Sequence, residues 1–262
     1  MPTLLALIPH PDDESYSFAG TIILAARAGW RCLVVCATSG EMGKRHDGGP
    51  TGTIVLGEVR EAELRASCSL LGASERVCWR LPDGRLRGEP AGPRLTAELL
   101  RSEHPDLVLS LGADGAYGHP DHVAVYRWAL AAWEALTGPR PVLLFAAFPR
   151  GLFLPQYEKC RGMMGDPPDP PPAAIGAAPH DLGVDITALR AQKLAVIAAH
   201  RTQLPGGDPF ALFPLGIVER LLDCERFALA PGVDRDAGAA LLAGIAATSP
   251  AEPAEVAERQ DR

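Results

Sequence analysis

Four short runs, LLALI, CLVVCA, LVLSL and VLLFAA, are apolar almost without interruption and fit neither a half-exposed strand nor a surface helix. A strand that is apolar on both faces must be covered on both, which is the mark of a parallel sheet held between helices. The intervening segments supply those helices. SFAGTIILAARAG is helical in pattern and stopped by Gly29, and VLGEVREAELRASCSLLG is amphipathic with a glycine stop of its own. RLTAELLRSEHP, DHVAVYRWALAAWEAL and ALRAQKLAVIAAHRTQ repeat the pattern, with RVCWRLP and HDLGVDIT as further strands. The alternation predicts a Rossmann-like, three-layer α/β fold: a mostly parallel sheet with helices on both faces.

A chain of 262 residues suits a single domain, expected over 1–247. Its proline-rich excursion GDPPDPPPAAIGAAP (165–179) cannot be regular structure, and the polar tail 248–262 is expected to be disordered. A net charge of −7, with no basic cluster beyond Lys44, Arg45 and His46, argues against a nucleic-acid partner. The opening MPTLLALIPHPDD has no basic flank and soon meets acids, so neither a signal peptide nor a membrane span is expected. Six cysteines without a C-x-x-C pair read as reduced thiols, and hence as a cytoplasmic protein. Nothing in the composition excludes a homo-oligomer.

In open parallel sheets, ligands bind beyond the carboxyl ends of the strands. LIPHPDDE follows the first apolar run and SLGADGAYGHPDH a later one, so HPD recurs at that edge as His10-Pro11-Asp12 and His119-Pro120-Asp121. No GxGxxG follows the first strand and no GxxxxGK[ST] occurs anywhere, so a nucleotide cofactor is not supported. Proline suits the first position of a helix, which puts each histidine at a strand end and each acid in a first helical turn. His10 and Asp13 stand three apart across a helix start, and His119 and His122 repeat the spacing. Two histidines and a carboxylate around an open position make a catalytic zinc set. A helix-dipole role, worth roughly 0.3–1 kcal/mol, accounts for Glu14 but not for the histidines.

The segments IPHPDDE, TSGEMG, VREAEL, AYGHPDH and AHRTQ, in that order, resemble the PIG-L/LmbE family of zinc-dependent N-acetylglucosaminyl deacetylases. The resemblance covers most of the chain. It implies removal of the acetyl group from a small-molecule N-acyl amino sugar, with His10, Asp13 and His122 as zinc ligands. Iron(II) accepts the same donors. The resemblance also implies Asp12 as general base and His119 as oxyanion stabiliser or acid towards the leaving amine, with Asp121 orienting it. The chemistry agrees, because a carboxylate that is not tied to the metal can take a proton from the water the metal acidifies.

Other positions are balanced between function and structure. Arg60 is either a substrate-gripping guanidinium or an ordinary helix charge, and Tyr117 either a hydroxyl donor or a packed aromatic. Glu41, in TSGEMG, either binds sugar hydroxyls or anchors its loop. Asp83, in LPDG, reads as a turn former ahead of a substrate contact. His200 sits near a helix C-terminus, where a cation is favourable anyway. His46, His104 and His180 read as structural or solvated. The alternatives to a deacetylase are an amidase of a glucosaminyl thiol conjugate, a metallophosphoesterase and a non-catalytic metal- or sugar-binding protein. Phosphoesterases commonly need two metals, and the donors suffice for one. A binding protein would need neither Asp12 nor His119.

Overall fold

The computed structural model describes residues 1–50 and 52–247, so the expected tail lies outside the described residues. The apolar runs become strands β1 (Thr3–Ile8), β2 (Arg31–Thr38), β3 (Glu75–Leu81), β4 (Leu107–Ser110) and β5 (Val142–Ala146). Two more, β6 (Leu182–Asp185) and β7 (Cys224–Leu229), complete a seven-stranded sheet of order β3-β2-β1-β4-β5-β7-β6. The first five are parallel neighbours, with Leu5 opposite both Leu33 of β2 and Val108 of β4. Strand β7 runs antiparallel to both β5 and β6.

Every residue of β1 is buried, and its side chains alternate between two cores. Leu4, Ala6 and Ile8 pack with Ile22, Leu64, Val196 and Leu242, whereas Leu5 and Leu7 pack with Leu100, Val125 and Trp128. This period of two is the strand geometry itself. The first core is covered by α2 (Ala19–Arg27) after a single turn α1 (Asp13–Ser17), and by α3 (Thr53–Leu71). The second is covered by α4 (Ala91–Glu103) and α6 (Pro120–Glu134), the latter preceded by the distorted turn α5 (Gly115–Gly118). Helix α7 (Leu154–Cys160) follows β5, while α8 (Arg190–Ala198), the short α9 (Ile217–Arg220) and α10 (Arg235–Ala246) complete the first layer. The expected three layers are present.

One local expectation is corrected, and one strand is added. The helix read across SFAGTIILAARAG is broken at Phe18 (φ −138°, ψ −1°). Strand β7 was not legible, because Glu225 and Arg226 interrupt its apolar pattern. Glu225 is nonetheless buried, since its carboxylate accepts from Gly20 N and Thr21 N (both 2.8 Å) at the start of α2 and from Lys193 Nζ (2.7 Å). A carboxylate at a helix N-terminus is favoured by the exposed amides and the dipole. The proline-rich segment has no strand or α-helix. It is tethered to the loop after β4 by Gly176 N, which donates to Asp114 Oδ2 at 2.8 Å. Among the described residues no helix is long and apolar enough to cross a membrane.

The order of the sheet places the functional edge. Successive connections leave β1 towards β2 on one side and reach β4 on the other, so a crevice opens beyond the carboxyl ends of β1 and β4. Both HPD segments stand there.

Candidate active site and metal centre

The two HPD segments are not built alike. The second matches expectation: His119 caps α6, Pro120 opens it and Asp121 lies in its first turn. In the first, the helix starts only at Asp13, and Asp12 takes a left-handed backbone (φ 126°, ψ −26°) that a side chain rarely adopts. Its surroundings hold it there. Asp12 N donates to Glu14 Oε2 (3.1 Å), Ser15 N and Oγ donate to Asp12 O (2.9 and 2.6 Å), and Arg60 Nη2 donates to Pro11 O (2.5 Å) and Asp12 Oδ2 (3.1 Å).

Beyond these turns lies a cleft of about 450 Å³, whose floor carries His10, Asp12, Asp13, Arg60, Asp83, Tyr117, His119 and His122. Asp13 sits between two rings, with Oδ2 3.4 Å from His10 Nδ1 and Oδ1 3.4 Å from His122 Nε2. The Nε2 atom of His122 is buried and forms no hydrogen bond among the described residues. Burial, followed by the charge of His10, pushes the pKa of His122 well down, so its ring stays neutral with a lone pair to offer. Burial would lower His10 too, but bonds to Asp121, Asp13 and Asp83 raise it well above its usual value.

A cation between these donors would answer both the orphaned nitrogen and the crowded acids. Two other groupings also lie close together: His10, His119 and His122, and His10, Asp83 and Asp121. The carboxylates of the last set already serve backbone amides. Asp121 accepts from Gly84 N (2.7 Å) and Leu86 N (2.9 Å), and Asp83 Oδ2 accepts from Met42 N (2.8 Å). Their other contact is with His10 Nε2, 3.1 Å from Asp83 Oδ1 and 3.3 Å from Asp121 Oδ2. Carboxylates so placed accept the Nε2–H hydrogen bond and leave the Nδ1 lone pair on the side of Asp13, which is how outer partners orient a ligating histidine.

The expected pairing of Asp121 with the His119 ring is therefore corrected. The carboxylate faces His10, and it is the Asp121 backbone N–H that reaches His119 Nδ1 (3.2 Å). An accepting Nδ1 places the proton of the neutral ring on Nε2. Burial and the charges of His122 and His10 push the pKa of His119 well below its usual value, so the neutral form is favoured. Asp83, read mainly as a turn former, also lines the cleft and touches His10. Glu41 does not line it; its Oε1 accepts from Asp83 N (2.9 Å) and anchors the loop.

Arg60 is 4% exposed, with Nη1 on Gly40 O (2.8 Å) and Nη2 on Pro11 and Asp12. Its guanidinium thus braces the Asp12 turn at the cleft wall. Burial lifts the Asp12 pKa; Arg60 opposes this and Asp13 reinforces it, and the carboxyl is pushed up to about 6. Tyr117 packs edge-on to His122, with ring centroids 5.4 Å apart, and also against Phe153 and Phe213. Tyr16, not singled out from the sequence, also lines the cleft, and its buried hydroxyl has no hydrogen-bond partner among the described residues. The only local hint of it was its place two residues beyond HPDDE.

Glu14 stands in the first turn of α1 and His200 just beyond α8, as expected, but the two also meet in the interior, where Glu14 Oε1 accepts from His200 Nε2 (2.6 Å) and Ser67 Oγ (2.5 Å).

An α/β crevice with a carboxylate between two histidines and a second acid beside it defines a candidate metallohydrolase. A family model described as PIG-L, GlcNAc-PI de-N-acetylase, matches residues 5–133. A protein of Nakamurella multipartita named 1D-myo-inositol 2-acetamido-2-deoxy-alpha-D-glucopyranoside deacetylase is 32% identical over an alignment of 250 positions that covers 80% of this chain and 83% of that one. The chain belongs to the PIG-L family, and it is a deacetylase. Among solved structures, the conserved protein TT1542 from Thermus thermophilus is similar over 89% of this chain and 96% of its own, with TM-score 0.61 and 26% identity. GalB, the 4-carboxy-2-hydroxymuconate hydratase of a Pseudomonas, has TM-score 0.58 and 23% identity over 76% of this chain and 78% of its own. A hydratase therefore shares this fold, so the fold by itself does not specify a substrate.

Proposed function

We propose that this protein hydrolyses the acetamido bond of 1D-myo-inositol 2-acetamido-2-deoxy-α-D-glucopyranoside or a closely related N-acetylglucosamine conjugate, with one divalent ion, zinc, held by His10, Asp13 and His122. The observation that carries the reading is Asp13 standing 3.4 Å from both His10 Nδ1 and His122 Nε2, the latter buried and unbonded. Two nitrogens and one carboxylate suit zinc, and iron(II) accepts the same set. When bound, such an ion supplies Lewis acidity, making an amide carbonyl electrophilic and water acidic.

The chain's own groups do the rest. Asp12, fixed by Arg60 and Glu14 at the edge of the donor set, accepts a proton from the attacking water and can return it to the departing nitrogen. His119 presents an Nε2–H to the oxygen on which charge develops. Asp83 and Asp121 hold His10 by its far nitrogen. A reducing, cytoplasmic setting belongs to the same reading and is supported by six unpaired cysteines. The test is acetate release from the inositol glucosaminide by metal-loaded protein, alongside phosphate release from a phosphomonoester. Acetate without phosphate is expected, and the reverse would overturn the reading.

A further inference from the structure

Cys36 and Cys78 stand opposite each other on the neighbouring parallel strands β2 and β3. Adjacent strands lie about 4.8 Å apart, and opposed residues send their side chains to the same face of the sheet. Both sulfurs converge on one atom, for Thr38 O lies 3.1 Å from Cys36 Sγ and 3.2 Å from Cys78 Sγ. A Cα separation of about 4.4–6.8 Å suits a disulfide, so this pair can close one with little backbone movement. All six cysteines are free thiols, and no other two of them are opposed on paired strands.

The two thiols differ as an attacking and a resolving cysteine must. Cys36 is fully buried, and burial pushes its thiol well up. Cys78 is half-buried on β3, the edge strand of the sheet. The Cys36 thiol beside it holds the Cys78 thiol down to about 7 against the effect of burial, helped by Ser39 and the Arg80 backbone amide. Ser39 Oγ stands 3.6 Å from Cys78 Sγ, and a surface hollow of about 370 Å³ is lined by Ser39, Glu61 and Arg80, so a small solute can approach. Burial raises the other thiols Cys32, Cys68 and Cys160, which keeps them protonated and unreactive. Just past the pair the register slips, with β3 running from Cys78 to Leu81 while β2 runs from Cys36 to Thr38. Such a bulge interrupts the ladder, which leaves β3 room to adjust to a new bond.

We propose that Cys36 and Cys78 form a modification site, oxidised by hydrogen peroxide to an intrachain disulfide that ties β3 to β2. The Cys78 thiolate attacks one peroxide oxygen and the O–O bond breaks. Cys78 becomes a sulfenic acid, and the leaving hydroxide takes a proton from solvent to depart as water. The Cys36 sulfur then attacks the Cys78 sulfur, the S–O bond breaks, and the Cys36 proton leaves with the hydroxyl as a second water. Two electrons pass from the sulfurs to the peroxide, and a dithiol reductant returns them. The contacts of both thiols with Thr38 O are exchanged for the S–S bond.

The test exposes the reduced, zinc-loaded full chain to hydrogen peroxide, then caps the remaining thiols with iodoacetamide in denaturant. Peptides from a digest without reductant are mapped by mass spectrometry. The expected result is a peptide pair joined through Cys36 and Cys78, two hydrogens lighter than the separate thiols, that comes apart in dithiothreitol. Cys32, Cys68, Cys160 and Cys224 should all be found capped. In Cys36→Ser, Cys78 should instead be recovered as a sulfenic acid trapped by dimedone, and in Cys78→Ser, Cys36 should be found capped. Absence of the joined pair from the oxidised wild-type chain, or Cys78 joined to any other cysteine, overturns the proposal. Neither of those outcomes depends on how the variants fold.

Discussion

Asp12 holds a backbone conformation that glycine would hold more easily. At φ 126° a side chain is strained by about 1–3 kcal/mol, so the residue is kept there for its carboxylate. Two substitutions separate the backbone from the chemistry. Asp12→Ala and Asp12→Gly both delete the carboxylate, and both lose the 3.1 Å contact with Arg60 Nη2. They differ in that alanine keeps the strain, while glycine removes it and adds about 0.5–1 kcal/mol of unfolded-state entropy. The glycine variant should therefore be the more stable of the two, by roughly 0.5–2 kcal/mol, or a few degrees in Tm. At an ordinary negative-φ position the order is the opposite. Urea unfolding of metal-stripped protein is the assay, because a bound ion would add its own stabilisation. Both variants should lose about 10²–10⁴-fold in turnover. An alanine variant as stable as the glycine variant would refute the strain argument, and near-normal turnover in either would remove Asp12 as the proton acceptor.

His122→Ala should abolish tight metal binding in metal analysis of the purified protein, and full occupancy would sink the ligand assignment. Asp121→Asn should weaken metal affinity by about 10–100-fold through lost orientation of His10, measured by competition with a chromogenic chelator; unchanged affinity would show that Asp83 alone suffices. Lys193→Ala should cost about 3–5 kcal/mol in urea unfolding, because Glu225 would be left charged in the interior with only its α2 partners. A loss below about 1 kcal/mol would show that the helix start alone balances that charge. Glu61 is held from its ordinary 4.5 down to about 2, chiefly by its bond to Arg80, so its contribution is present above pH 4.5 and fades as pH falls towards 2. Glu61→Gln should flatten the stability profile in that window, and an unaltered acid limb would show that the exposed Arg80 contributes nothing.

The layers were legible because burial on both faces of a strand leaves a direct mark on sequence. LLALI, LVLSL and VLLFAA read as central strands and are β1, β4 and β5. The strand CERFAL was not legible, since its glutamate is buried for the sake of Lys193 and the amides of α2, 32 and 205 positions away along the chain. Site residues followed the same division. Residues three apart on one turn, such as His10 and Asp13 or His119 and His122, announced themselves by spacing. Asp83 did not, because LPDG is also a good turn, and only the fold brings its carboxylate to His10. Asp121 was placed beside the wrong histidine for a related reason. Adjacency along the chain suggested His119, but the start of α6 turns the carboxylate towards β1 and gives His119 only the backbone amide.

The run Asp12-Asp13-Glu14 shows why three adjacent acids need not share a task. Successive side chains around a helix start leave in different directions, so each meets a different environment. Asp13 points between His10 and His122, where a cation would bind. Asp12 remains in the cleft against Arg60, with its carboxyl free of that set. Glu14 turns inward and is fully buried. Burial alone would raise its pKa, but the charge and hydrogen bond of His200 and the bond from Ser67 hold it below its usual value. One oxygen takes those two partners from α3 and the end of α8, while the other accepts the amide of the strained Asp12. Glu14 thereby fastens the Asp12 turn to both helices. Replacing it with glutamine preserves the shape but loses the charge-assisted bonds, each typically worth about 1.5–3 kcal/mol. The turn should loosen, and turnover should fall before metal binding does. Metal lost in step with turnover would mean that Glu14 supports the whole floor rather than the position of Asp12.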